Sequence, residues 1–133
     1  MPFFDLFKDD RANVRAIKKR TLKMILEASK SSFPNEFGGM MRADEGVIDE
    51  LLLVPGTESG ERSALFKFNN LPVDFSVVGT VHSHPSGSCR PSEADLDLFR
   101  RHGWVHIIVC KPYDMSSWRA YSGLGERVHL DVV

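Results

Sequence analysis

Apolar and polar positions follow two different periods along this chain. Over residues 14–31, Ile17, Thr21, Met24, Ile25 and Ala28 recur at helical spacing, with Lys18, Lys19, Lys23 and Lys30 elsewhere on the cylinder. Pro34 disfavours helix at Phe33, so this helix is expected to stop near Ser32. The period then shortens to two. FGGMMR (37–42), GVIDELLLVP (46–55), ALFKF (64–68) and SVVGTVHSH (76–84) read as strands, with Pro55-Gly56 and Pro85 as stops. Helical spacing returns from Ser92 to about His102, with Leu96 and Phe99 facing the core and Gly103 ending the run. VHIIVCKP (105–112) is almost continuously apolar and reads as a central strand. WRAYS (118–122) and VHLDVV (128–133) read as two shorter strands joined by a turn containing GLGE. Two helices and about seven short strands predict an α/β layer structure around a mixed sheet.

A chain of 133 residues can bury a core as one domain. Its net charge of −1 argues against a protein that works by neutralising nucleic-acid phosphates. Residues 1–30 carry eight Lys/Arg against four Asp/Glu, and the remainder nine against fourteen, which we read as a solvated basic helix face before an acidic body. No apolar run approaches the ~20 residues that span a bilayer. The start, MPFFDLFKDD, is broken by Asp5, Lys8, Asp9 and Asp10 and does not read as a signal peptide. A cytoplasmic protein without membrane contact is expected. The two cysteines, Cys89 and Cys110, form no CxxC pair, so two free thiols are expected in a reducing cytosol. The alternative is a disulfide, as occurs inside hyperthermophiles, tying the segment after His84 to a later strand.

The chemistry concentrates in GTVHSHPSGSCRPSEAD (79–95). Residues two apart on a strand share a face, so His82 and His84 can both reach one cation while Ser83 points away. Ser92 and Asp95 are three apart at a helix start. That spacing suits a capping box, with Ser92 as N-cap, and equally suits a hydroxyl and a carboxylate presented together to a metal. The two roles compete for Asp95. Two His and one Asp would leave a fourth position open, as catalytic zinc sites do, and zinc lowers the pKa of water to about 7. Glu36, in PNEFGG (34–39), is the candidate proton carrier, and Gly38-Gly39 beside it allow close approach. Other metal motifs fit badly. HExxH is absent. The deaminase pattern lacks both its Glu and its CxxC. Cupin-type His-x-His sites need a glutamate soon after, and residues 85–92 contain none. His102, His106 and His129 are assigned to a helix end and two strands.

Together, Glu36, His82-Ser83-His84, seven residues, Ser92, two residues and Asp95 resemble the JAMM (MPN+) metalloprotease signature. The likeness covers roughly 16–133 and is strongest to the small stand-alone archaeal members. It implies an α/β/α sandwich of the cytidine-deaminase-like kind at 14–133, preceded by an extension at 1–13. It also implies one zinc held by His82, His84 and Asp95, Glu36 as general base and then acid, and Ser92 helping to hold an oxyanion. The implied activity is cleavage after the C-terminal Gly-Gly of a ubiquitin-like modifier or a sulfur-carrier protein. Loops at 56–61, 69–75 and 112–117 are short, so a long ubiquitin chain is not the expected substrate. Two alternatives stand beside this: a zinc hydrolase of short peptides or small molecules, and a non-catalytic scaffold of the same fold. Phe3, Phe4, Leu6 and Phe7 either fold onto the body, which we expect, or dock on a partner or a second subunit of a homo-oligomer.

Overall fold

The structure is a computed structural model that describes residues 13–53 and 77–133. In chain order its elements are β1 (Ala16–Ile17), α1 (Lys19–Ser32), β2 (Gly38–Asp44), β3 (Val47–Leu53), β4 (Val77–Ser83), α2 (Glu93–Arg101), β5 (Val105–Val109), β6 (Trp118–Ser122), β7 (Arg127–Val128) and β8 (Asp131–Val132). The strand expected at 64–68, the loops at 56–61 and 69–75, and nearly all of the extension at 1–13 lie outside the described residues.

The strands form one mixed sheet in the order β7-β6-β5-β4-β2-β3-β1-β8. Strand β5 shows how the layers are arranged. Val105, Ile107 and Val109 pack with Leu22, Ile25 and Leu26 of α1. Ile108 and Cys110, on the alternate face, pack with Phe99 of α2. The helices therefore cover opposite faces, which is the sandwich the resemblance implies. Nothing at the start of α1 favours it electrostatically, since Lys18 gives no side-chain cap and the first turn holds no acid. Packing holds it instead: each buried leucine or isoleucine contributes about 1.5–3 kcal/mol, against about 1 kcal/mol for a good cap. Its first amide, Lys19 N–H, is satisfied from far along the chain by Val133 O at 2.8 Å.

Two expectations need correction. Ala16 and Ile17 continue the helical period of α1 but form a strand, paired in parallel with Val47 and Ile48 on one side and Asp131 and Val132 on the other. Tertiary pairing overrides local spacing there, with Ile17 completely buried. The single strand expected at 128–133 is two strands at opposite ends of the sheet order, β7 on β6 and β8 on β1. Only residues 129 and 130 separate them. Three residue steps reach about 10 Å, whereas seven strand spacings in a flat sheet would span about 34 Å. The sheet must therefore curl until its two edges approach each other, and buried Leu130 bridges the gap.

Candidate metal centre

β4 lies between β2 and β5 and is buried along its whole length. It pairs antiparallel with β2, Gly38 opposite His82. Carried one residue on, this register sets Phe37 against Ser83, where Ser83 N–H donates to Phe37 O at 2.9 Å and Phe37 N–H donates to Ser83 Oγ at 2.8 Å. Continued one pair further, that register would set Glu36 beside His84, and the charge of Glu36 does act on His84. On that register Glu36 shares the face of His82 and His84, and it is 5% exposed. Only a cross-strand register, not sequence spacing, brings residue 36 to residue 84.

The third donor arrives on α2, whose buried face carries Asp95, Leu98 and Phe99. His82 Nε2 lies 3.0 Å from Asp95 Oδ1, His84 Nε2 lies 3.1 Å from Asp95 Oδ2, and the two imidazole nitrogens are 3.3 Å apart. Asp95 also completes a capping box: its Oδ2 accepts from Ser92 N–H at 2.9 Å while Ser92 Oγ accepts from Asp95 N–H at 3.1 Å. The two roles set in competition by the sequence thus coexist. Capping uses Oδ2, and buried Oδ1 faces His82 Nε2. His84 is oriented from behind, Nδ1 to Ser88 O at 3.0 Å, which leaves Nε2 as the ligating atom.

These three side chains can hold a metal ion. A tetrahedral centre with zinc-length bonds spaces its ligands by about 3.3 Å, close to the separations here. Two imidazoles and one carboxylate suit zinc and leave a coordination position open. Burial alone would lower the His84 pKa, but its bonds to Asp95 and the Ser88 carbonyl, with the charges of Asp95 and Glu36, outweigh it and the pKa rises. Burial works on Asp95 in the opposite direction, yet the two imidazoles and Ser92 N–H hold its carboxyl far below the usual carboxylate range. In the metal-free protein a proton therefore sits on His84 at neutral pH more than is usual, and a cation has to displace it. Below the raised His84 pKa, apparent zinc affinity is expected to fall by up to about tenfold per pH unit, and above it to level off. Competition titration against a fluorescent chelator from about pH 5.5 to 8.5 measures this; a flat profile would contradict it.

The segment between His84 and Ser92 is fastened at several points. Tyr113 Oη donates to His84 O at 2.9 Å, Lys111 N–H donates to Ser86 O at 2.9 Å, and Tyr121 Oη donates to Cys89 O at 2.7 Å. Cys89 and Cys110 are joined in a disulfide across 21 residues of sequence, and not the free thiols expected. Their backbones are held close, 5.4 Å between Cα atoms, by packing that sequence spacing does not show. A loop of this size predicts about 3 kcal/mol of stabilisation. The Cys89→Ala/Cys110→Ala variant is expected to lose that amount in urea denaturation, and reductant should then have no further effect.

The sequence also missed His106 and Tyr113. His106 is the one polar interruption of VHIIV, and that was the available signal. Tyr113 gave none. His129 lies away from the centre, bonded to exposed Asp131 at 2.7 Å.

The profile of prokaryotic homologues of the JAB domain matches residues 18–121. The chain belongs to this family. The JAB domain here is 41% identical over 130 residues to a probable metalloprotease of Haloferax volcanii, covering 90% of this chain and 80% of that one. Among solved structures it superposes on one described as JAMM, a metalloprotease-like zinc site in the proteasome and signalosome, with a TM-score of 0.72 and 47% identity over 90% of this chain and 98% of that one. A JAB1/MPN domain protein from Archaeoglobus fulgidus matches with a TM-score of 0.72 and 45% identity, covering 90% and 96%. The fold and the metalloprotease-like zinc hydrolase family of this JAB domain are thereby established. No helix among its described residues is long and apolar enough to cross a membrane.

Proposed function

We propose that this JAB domain is a zinc-dependent peptidase or isopeptidase that cleaves after the C-terminal Gly-Gly of a ubiquitin-like modifier or sulfur-carrier protein. The observation that carries the catalytic part is Glu36, buried just before β2, whose charge acts on His84 of the His82, His84 and Asp95 cluster. Zinc bound there would supply Lewis-acid chemistry, polarising a carbonyl and acidifying water. Glu36 accepts a proton from the attacking water and returns it to the leaving amine. Ser92, fixed through its bond with Asp95 N–H, donates to the developing oxyanion. Asp95 and the Ser88 carbonyl hold His84 in place.

Support for a glycine tail is steric. Among the described strands β4 has both edges occupied, so a tail reaching the cluster comes in close beside backbone beyond its end, near 84–88. Side-chain-free residues fit such an approach best. A cytoplasmic location belongs to the same proposal, in an organism where an intracellular disulfide such as Cys89–Cys110 persists.

The test is a panel of fusions in which ubiquitin-like proteins ending in Gly-Gly are linked to a reporter through peptide or isopeptide bonds. Cleavage directly after Gly-Gly, lost on zinc removal and in Glu36→Gln, is expected. Cleavage of short peptides with no fusion cleaved would favour the small-substrate hydrolase instead.

A further inference from the structure

His106 is a fully buried histidine that the proposed chemistry does not use. It lies on β5 directly opposite Thr80 of β4, on the face that carries His82 two residues further along. Its Nδ1 is 2.7 Å from Thr80 Oγ1. On its other side the ring stacks on Phe99, centroids 4.4 Å apart and planes within 14°. Phe99 is one helical turn after Asp95 on the buried face of α2, and it stacks in turn on Tyr121, which bonds to Cys89 O. Burial pushes the His106 imidazole down to about 3, despite the Gly103 and Phe99 carbonyls, so the ring is a neutral spacer at working pH.

The strand that supplies two metal ligands and the helix that supplies the third are thus connected through one ring. The contacts of His82 and His84 with Asp95, at 3.0 and 3.1 Å, depend on the height of α2 above β4. His106 meets both elements, through a hydrogen bond to one and a stack against the other. An apolar side chain would fill the space without fixing it. Placing a polar imidazole in an otherwise apolar strand carries a desolvation cost that simple packing does not require.

We propose that His106, locked by Thr80, is a positioning residue that sets the spacing of the metal ligands. The inference rests on reading His82, His84 and Asp95 as those ligands. Thr80→Val/His106→Leu removes the hydroxyl and its ring partner together, so neither is left facing an apolar replacement of the other, and the variant should fold. Its zinc affinity, measured by chelator competition, is expected to fall about 10–100-fold, the usual effect of losing outer support at a metal site. The visible absorption of the cobalt-substituted protein should shift or weaken as well. Thr80→Ser, which keeps the hydroxyl, should restore both readouts. If the double variant does not fold, Thr80→Val is read against Thr80→Ser in the same way. Wild-type protein that binds zinc, with variants binding within twofold of it and giving the same cobalt spectrum, would overturn this inference alone. Wild-type protein that binds no zinc would overturn it together with the metal-site reading.

Discussion

Glu36→Gln is expected to reduce kcat by about 10²–10⁴-fold while zinc content stays at one equivalent. The substitution keeps shape and volume at a buried position and removes the negative charge and with it the ability to take and return a proton. The loss corresponds to about 3–5 kcal/mol of transition-state stabilisation. A second consequence distinguishes this from general damage. The charge of Glu36 is one of the influences that raise the His84 pKa, so removing it makes the imidazole easier to deprotonate. That easing opposes the loss of a negative charge facing the bound cation, so zinc affinity in Glu36→Gln should change little and one equivalent should be retained at both pH 8 and pH 6. Activity lost together with zinc would instead assign Glu36 to the metal's support. Full activity would remove it from the mechanism.

Asp95 offers the other large effect, and two substitutions separate its roles. Asn at 95 retains an acceptor oxygen for Ser92 N–H, so the capping box of α2 survives. It loses the negative charge that both imidazoles face and the anionic ligand oxygen, Oδ1. Asp95→Asn should therefore destabilise the metal-free domain near neutral pH through the lost charge alone, with the cap, worth about 1 kcal/mol, kept. Its zinc affinity should drop by more than the ~10–100-fold typical of outer-sphere changes. Asp95→Ala should lose the cap as well. In wild type, the depressed Asp95 pKa means that its contribution to metal-free stability is fully present above the ordinary carboxylate pKa and is lost as pH falls through the lowered folded value. Asp95→Asn should remove that acid dependence. Retention of one zinc equivalent by Asp95→Asn under chelator competition would leave Asp95 as a cap only.

Much of this centre was legible because its parts are local. His82 and His84 are separated by the strand period, and Ser92 and Asp95 by the helical one, so each pair can be oriented from spacing alone. Glu36 is different. Its approach to the centre depends on the pairing of β2 with β4, a partnership across more than forty residues; beforehand it was a candidate from its place beside Gly38-Gly39 and then from resemblance to a known signature. The disulfide was undecidable for a similar reason, since the approach of Cys89 to Cys110 depends on packing around Tyr121 and Ser117. Ala16-Ile17 and 128–133 were misread where a two-residue strand is defined entirely by its neighbours. His106 was visible as a polar residue in an apolar strand, but its partners, Thr80 and Phe99, lie on other elements.

The link between Val133 and the start of α1 makes one amide a sensor of the whole sheet. Val133 O accepts from Lys19 N–H, Val133 N–H donates to Ile17 O, and Asp131 N–H donates to Arg15 O. Lys19 has no intrahelical partner for its N–H, as the first residue of its helix. Its slow exchange with deuterated solvent would depend on β8 having arrived against β1. Amides such as Ile25, inside the same helix, would remain protected by the helix itself. The difference between these two exchange rates would then measure the free energy of detaching β8 from β1, separately from that of unfolding the domain.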